Sequence, residues 1–295
     1  MSVTEIPRRR PVSVGRWFRD TGWRHIVALV LVVFALFPLA YVLSASLSSS
    51  GSLVGSNQLF SNIDVRNYVT LFTNPDQPFV MWVLNTLFIG LVTSVLSVFL
   101  GAMAAYAFSR MRFRGRRVGL LSLLLIQMFP QFLAFVAIFL LLNAIGEVFP
   151  ALGLGSQLGL IMVYLGGALG ANTYLMYGYF NTVPVEIDEA AKIDGAGHAQ
   201  IFFTIILRLV APILAVVGLL SFIATTGEYV IASIVLTDPN RQTLAVGLYS
   251  FVSQQFSNNW GVFAAGAVIS AIPVMIVFLL LQRYIVGGLV SGSGK

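Results

Sequence analysis

Ile26-Val-Ala-Leu-Val-Leu-Val-Val-Phe-Ala-Leu-Phe-Pro-Leu-Ala-Tyr-Val-Leu-Ser-Ala-Ser46 runs for 21 residues without a charged side chain. A helix rises about 1.5 Å per residue, so this run can cross about 30 Å of hydrocarbon. Five stretches of the same character follow, over 86–108, 118–142, 158–180, 205–227 and 263–285. An unpaired backbone amide in lipid costs several kcal/mol, and no alternating pattern points to a barrel, so all six read as helices. The fold class is an all-α integral membrane protein with six transmembrane helices.

The remaining composition agrees. Hydrophobic residues make up 58% of the 295 and charged residues 9%, against about a quarter charged in soluble domains. There is no cysteine, which excludes disulfides, thiolate catalysis and cysteine metal sites. His25 and His198 lie far apart with no ligand-spaced partner, so neither a metal centre nor a cofactor is expected. No catalytic constellation is present, and an enzyme is not the expectation.

A net charge of +6 in such a chain describes topology rather than nucleic-acid binding. Fifteen Lys and Arg fall on one side of the six spans. They comprise Arg8, Arg9, Arg10, Arg16, Arg19 and Arg24, then Arg110, Arg112, Arg114, Arg116 and Arg117, then Lys192, Arg208, Arg283 and Lys295. Only Arg66 and Arg241 fall on the other. Positive loops stay in the cytoplasm, so both termini are expected inside. The first run exceeds a signal-peptide core of about 7–15 residues and reads as an uncleaved anchor despite Ser44-Ala45-Ser46.

The chain therefore divides into a cytoplasmic segment 1–25, a first helix 26–46, an external loop 47–85, a five-helix domain 86–285 and a cytoplasmic tail 286–295. Loops 47–85 and 228–262 are long and polar, and read either as docking loops or as connectors. Small residues at Gly101-Ala102-Met103-Ala104-Ala105, Gly166-Gly167-Ala168-Leu169-Gly170 and Ala264-Ala265-Gly266-Ala267 permit close helix packing. Pro130, Pro212 and Pro273 mark kinks, for gating or for packing alone. Gln127, Gln131, Asn172, Thr173, Ser221 and Thr225 are polar at membrane depth, and either line a hydrophilic path or bond helix to helix. Glu228 closes the fifth span at the outer surface, facing solvent or a partner.

One internal loop, within 182–204, breaks the apolar pattern: Pro184-Val-Glu-Ile-Asp-Glu-Ala-Ala-Lys-Ile-Asp-Gly-Ala-Gly-His-Ala-Gln-Ile-Phe-Phe203. Pro184 suits a first helical turn, and Glu186, Asp188 and Glu189 place negative charge at the positive end of the dipole. Gly195 and Gly197 then interrupt the helix before Ile201, Phe202 and Phe203 lead back to the membrane. Two readings fit: a helix-turn-helix finger whose Ala190-Ala191 face admits a partner closely, or an amphipathic helix lying in the membrane surface.

The series Glu189-Ala190-Ala191-Lys192-Ile193-Asp194-Gly195-Ala196, with Phe202, Ile205, Leu207 and Pro212 after it, resembles the EAA motif of ABC importer permeases. Where that family has Leu-Pro, this chain has Leu207-Arg208. The resemblance implies a type I importer fold in a bacterial inner membrane, with Glu189, Ala190, Ala191, Asp194, Gly195 and Ala196 meeting a separate ATPase dimer. Arg110-Met111-Arg112-Phe113, Gln127-Met128-Phe129-Pro130, Tyr164-Leu165-Gly166-Gly167, Leu244-Ala245-Val246-Gly247 and Gln282-Arg283 with Gly287-Gly288-Leu289 are similar to the smaller permease of maltose and maltodextrin importers. This implies a homologous second permease, a sugar-binding protein reached by the loop near Leu236–Trp260, and a C-terminal tail touching the ATPases. Another sugar such as trehalose remains the alternative substrate.

Two further features carry less. The basic run Arg110–Arg117 reads as a positive-inside anchor. Ser291-Gly292-Ser293-Gly294-Lys295 has Leu289 where a phosphate loop needs glycine, so ATP hydrolysis is expected in another chain. An ion-coupled carrier would want a central carboxylate and matching halves, and neither is apparent. A scaffold would explain the spans but not the finger.

Overall fold

A computed structural model describes residues 18–48, 59–253 and 259–292. The basic residues Arg8, Arg9, Arg10 and Arg16, the side chains of the tail 286–295, and residues 254–258 of the loop 228–262 lie outside the described residues. Among the described residues helices account for nearly all regular structure, and pairing between extended segments is limited to one bridge, Ser48 with Ile63.

Four helices are long and apolar enough to cross a membrane: Phe18–Ser46, Phe79–Arg110, Gln157–Phe180 and Trp260–Ile285. Phe79–Arg110 begins seven residues before the expected span. Pro78 precedes it, and its first turns carry Trp82 and Asn85, interfacial residues that an apolar window undercounts. Gln157–Phe180 starts where Ser156 caps Gly159 N–H at 2.8 Å, a side-chain oxygen satisfying one orphan donor.

Two expected spans are revised. The third, 118–142, is not one helix: Arg116–Gln127 stops, a tight turn Gln131–Ala134 follows, and Phe135–Val148 resumes. Pro130 has no N–H and its ring collides with a continuing helix, so the proline breaks this segment rather than kinking it. The fifth, 205–227, is divided at Val210, where His198–Leu209 and Ala211–Gly227 meet at 79°. Pro212 falls in the first turn of Ala211–Gly227, where its missing N–H costs no hydrogen bond.

Helix 79–110 is central, packing against 157–180 and 211–227. Close approach rests on small residues: Gly101 faces Asn172 and Met176, and Gly170 sits against Leu123 and Gln127. Helix 23–46 stands apart, touching 260–292 with its apolar surface outward; Phe34 is 78% exposed.

Candidate functional site

The loop after helix 157–180 folds as a finger of two helices, Val185–Ile193 and His198–Leu209. Gly195 has φ +87°, a left-handed conformation that a Cβ disfavours by about 1–2 kcal/mol. It ends the first helix in a Schellman turn: Ala196 N–H donates to Ala191 O at 2.9 Å and Gly195 N–H to Lys192 O at 3.0 Å, satisfying carbonyls the helix end leaves open. This is why a glycine stands at 195, since the space around its missing side chain is empty.

The finger's residues divide by face. Glu189, Ala190, Asp194 and Gly195 point outward, and Ile193 is 86% exposed at the tip. Ala196 is half-buried. Ala191 turns the other way, 8% exposed, into a core formed with Tyr106, Phe180, Val183, Ile201 and Phe202. The pair Ala190-Ala191 is thus split between a free face and a packed one.

A charged contact fixes the finger's base. Arg110, the last residue of helix 79–110, sets Nε 2.5 Å from Asp188 Oδ2, with the side chains 5% and 3% exposed. Its Nη2 also donates to Val183 O at 2.8 Å. A guanidinium suits this double duty because its planar fork presents several donors at once. The second finger helix is tied to the same element: Tyr106 reaches His198 at 3.4 Å and its ring lies 5.2 Å from that of Phe202.

Sequence reasoning missed this pair. The sequence accounts for Asp188 by the helix dipole and for Arg110 by the positive-inside count, and neither account asks for a partner. The available signal was register: Asp188 lies three residues before the buried Ala191, on the face where an unpaired acid would not be tolerated.

At membrane depth, Asn172 Nδ2 donates to Ser97 Oγ at 2.5 Å and Ser221 Oγ at 2.9 Å, joining helices 157–180, 79–110 and 211–227. Thr225 donates to Ser221 O on its own helix, and Gln127 Nε2 to Gly167 O at 2.6 Å. Asn172, Ser221, Thr225 and Glu228 also line a cleft of about 320 Å³ with Tyr164 and Gly167. Thr173 is 1% exposed and lies outside that lining. Gln131 sits in the turn after Pro130, and its side chain is not among those described.

Glu228 is half-buried rather than solvent-facing. It accepts from Tyr164 Oη at 2.6 Å and from the N–H groups of Ile231 and Ala232 at 2.8 and 3.0 Å, capping the short helix Val230–Val235.

The opposite end of helix 79–110 is tied to loop 228–262, which carries helices Val230–Val235 and Leu244–Ser253. Trp82 Nε1 donates to Pro239 O at 2.8 Å; Asn85 Nδ2 donates to Asn240 O and Gln242 O, both at 2.9 Å. Leu244 N–H donates to Thr86 Oγ1 at 2.7 Å. Gly247 lies directly on the Trp82 ring, where a Cβ would collide with it. These residues also went unread in the sequence, though Trp82, Asn85 and Thr86 share one helical face.

Comparison with known proteins adds the following. Residues 97–290 match the family described as binding-protein-dependent transport system inner membrane component. The chain is 40% identical over 281 residues to the maltose/maltodextrin transport system permease protein MalG of Vibrio vulnificus (strain YJ016), covering 92% of this chain and 94% of that one. It is 37% identical over 272 residues, with the same coverage, to the galactooligosaccharides transport system permease protein GanQ of Bacillus subtilis (strain 168). Its fold matches a chain of a bacterial ABC transporter involved in import of the acidic polysaccharide alginate. That match has a TM-score of 0.72 and 28% identity, over 95% of this chain and 99% of the other.

Proposed function

The chain belongs to the binding-protein-dependent transport system inner membrane components, and on that premise we propose how it couples an energy source to sugar passage. It is a multi-pass inner-membrane permease subunit of an ABC sugar importer with the type I fold. A second permease, an ATPase pair and a sugar-binding protein complete the importer, and ATP hydrolysis belongs to the ATPase subunits.

The proposed cargo is a maltose or maltodextrin-type oligosaccharide, supported by 40% identity to a permease of that name. The galactooligosaccharide permease at 37% supports a second reading, and uptake of labelled maltose against labelled galactobiose decides between them. In our reading both termini are cytoplasmic and the chain crosses six times, the third and fifth crossings being the broken segments 116–148 and 198–227. Loop 228–262 meets the binding protein. Gln127, Gln131, Asn172, Ser221 and Thr225 belong to the path, with the cleft beside Asn172 and Thr225 as its most open part, whereas Thr173, buried and off that cleft, serves helix packing.

The finger is the coupling element. Glu189, Ala190, Ala191, Asp194, Gly195 and Ala196 form the segment that docks on the ATPase, with Ile193 as its apolar tip. The observation that carries this is a glycine-capped helix whose outer face presents Ile193 at 86% exposure while its inner face is locked by Arg110 and Asp188. A large apolar side chain on a rigid, charged helix is what a partner groove takes.

The natural chain has no cysteine, so a single introduced thiol is unambiguous. Ala190→Cys should crosslink to the ATPase subunit in membranes, while Ala191→Cys, facing inward, should not. Adducts from position 190 confined to lipid or water would overturn the assignment.

A further inference from the structure

Two loops of opposite position are fastened to one helix, and the character of that helix gives the fastening a purpose. Helix 79–110 has 32 residues, about 48 Å at the usual rise, and contains no proline. Four other segments carry a proline: Pro38 lies inside 23–46, Pro130 breaks 116–148, Pro212 opens 211–227 and Pro273 lies inside 260–292, while 157–180, the main packing partner, has none but carries five glycines. Sharp bends in helices arise at such prolines, and 79–110 is one of two long helices among the described residues without one, with two glycines against the five of 157–180. It is also the most enclosed of the apolar spans, with 39% of its most apolar window buried.

Its two ends hold the two loops. At the cytoplasmic end Arg110 joins Asp188 and Val183, and Tyr106 meets the second finger helix through His198 and Phe202. At the outer end Trp82, Asn85 and Thr86 hold residues 239–244, and Gly247 packs on the indole. We infer that helix 79–110 is the connecting rod of this subunit: docking at the outer loop is transmitted through it, by way of the Arg110–Asp188 contact, to the finger on the ATPase. Arg110 and Asp188 act as positioning residues and touch neither sugar nor nucleotide. The Asn172–Ser97–Ser221 junction is the place where the rod's displacement reaches helices 157–180 and 211–227.

The inference rests on the reading of the finger as the ATPase contact, and the test separates the two. The whole importer, purified with its second permease and ATPases and rebuilt in lipid vesicles, is assayed for ATP hydrolysis with and without maltose-loaded binding protein. The readout is the stimulation ratio, each variant measured against its own basal rate. Asp188→Asn and Asn85→Ala should each reduce the ratio about tenfold, and the double variant should do no worse than the poorer single, as two cuts in one rod require. Arg110→Lys keeps the charge and loses the fork, and should lower the ratio at least threefold in complexes of normal yield. A wild-type ratio in Arg110→Lys or Asp188→Asn overturns the rod, as do losses that multiply in the double variant. Wild-type chain that purifies without any ATPase overturns the underlying reading of the finger instead.

Discussion

At one end of helix 79–110 a charged pair is sealed from solvent; at the other, Trp82, Asn85 and Thr86 meet loop backbone through neutral hydrogen bonds. The difference is one of cost. Removing one partner of a buried ion pair strands the other and costs about 3–5 kcal/mol, whereas a neutral hydrogen bond contributes about 0.5–1.5 kcal/mol net. The joint at Arg110 therefore hangs on a single pair whose halves cannot be separated cheaply, whereas the joint at Trp82 spreads a comparable total over several bonds that can break one at a time.

The strongest way to break this contrast is Arg110→Met, which leaves Asp188 buried without a counter-charge. It should destabilise the chain by about 3–5 kcal/mol, seen as a lower unfolding temperature in detergent, and Arg110→Met with Asp188→Leu should recover most of the loss. Next comes Gly247→Val, which drives a side chain into Trp82. Overpacking of this kind costs about 1–3 kcal/mol and should weaken binding-protein docking while the ATPase still co-purifies. Asn85→Ala removes two bonds to carbonyls for about 1–2 kcal/mol, measurable as faster hydrogen exchange in residues 239–244. Gly195→Ala should cost about 1 kcal/mol for its left-handed backbone and lower sugar uptake without changing the amount of inserted protein. Tyr106→Phe, losing only a 3.4 Å contact to His198, should move stability by a few tenths of a kcal/mol; a loss as large as that of Arg110→Met would make the two ties to the finger equal.

Long apolar runs were legible from composition: 26–46 and 158–180 agree closely with the observed helices 23–46 and 157–180. The finger was legible because Pro184, the acidic first turn and Gly195 are local signals of a helix with a start and a stop. What hydropathy could not show was where a run stops being one helix. Residues 118–142 are uniformly apolar across Pro130, and 205–227 across Val210, because lipid selects side chains by polarity whichever way the axis points. Nor could the sequence pair Arg110 with Asp188, or Trp82 with Pro239, since partners 78 or more positions apart are brought together only by the packing of the intervening helices.

The first helix, 23–46, finds its contact on the last, 260–292. Roughly two hundred residues lie between them, and at a synthesis rate of about 5–20 residues per second the first segment waits on the order of ten to forty seconds before its neighbour exists. It must endure that interval alone in the bilayer, and a stretch from Ile26 to Ser46 with no charge to shelter is one that can.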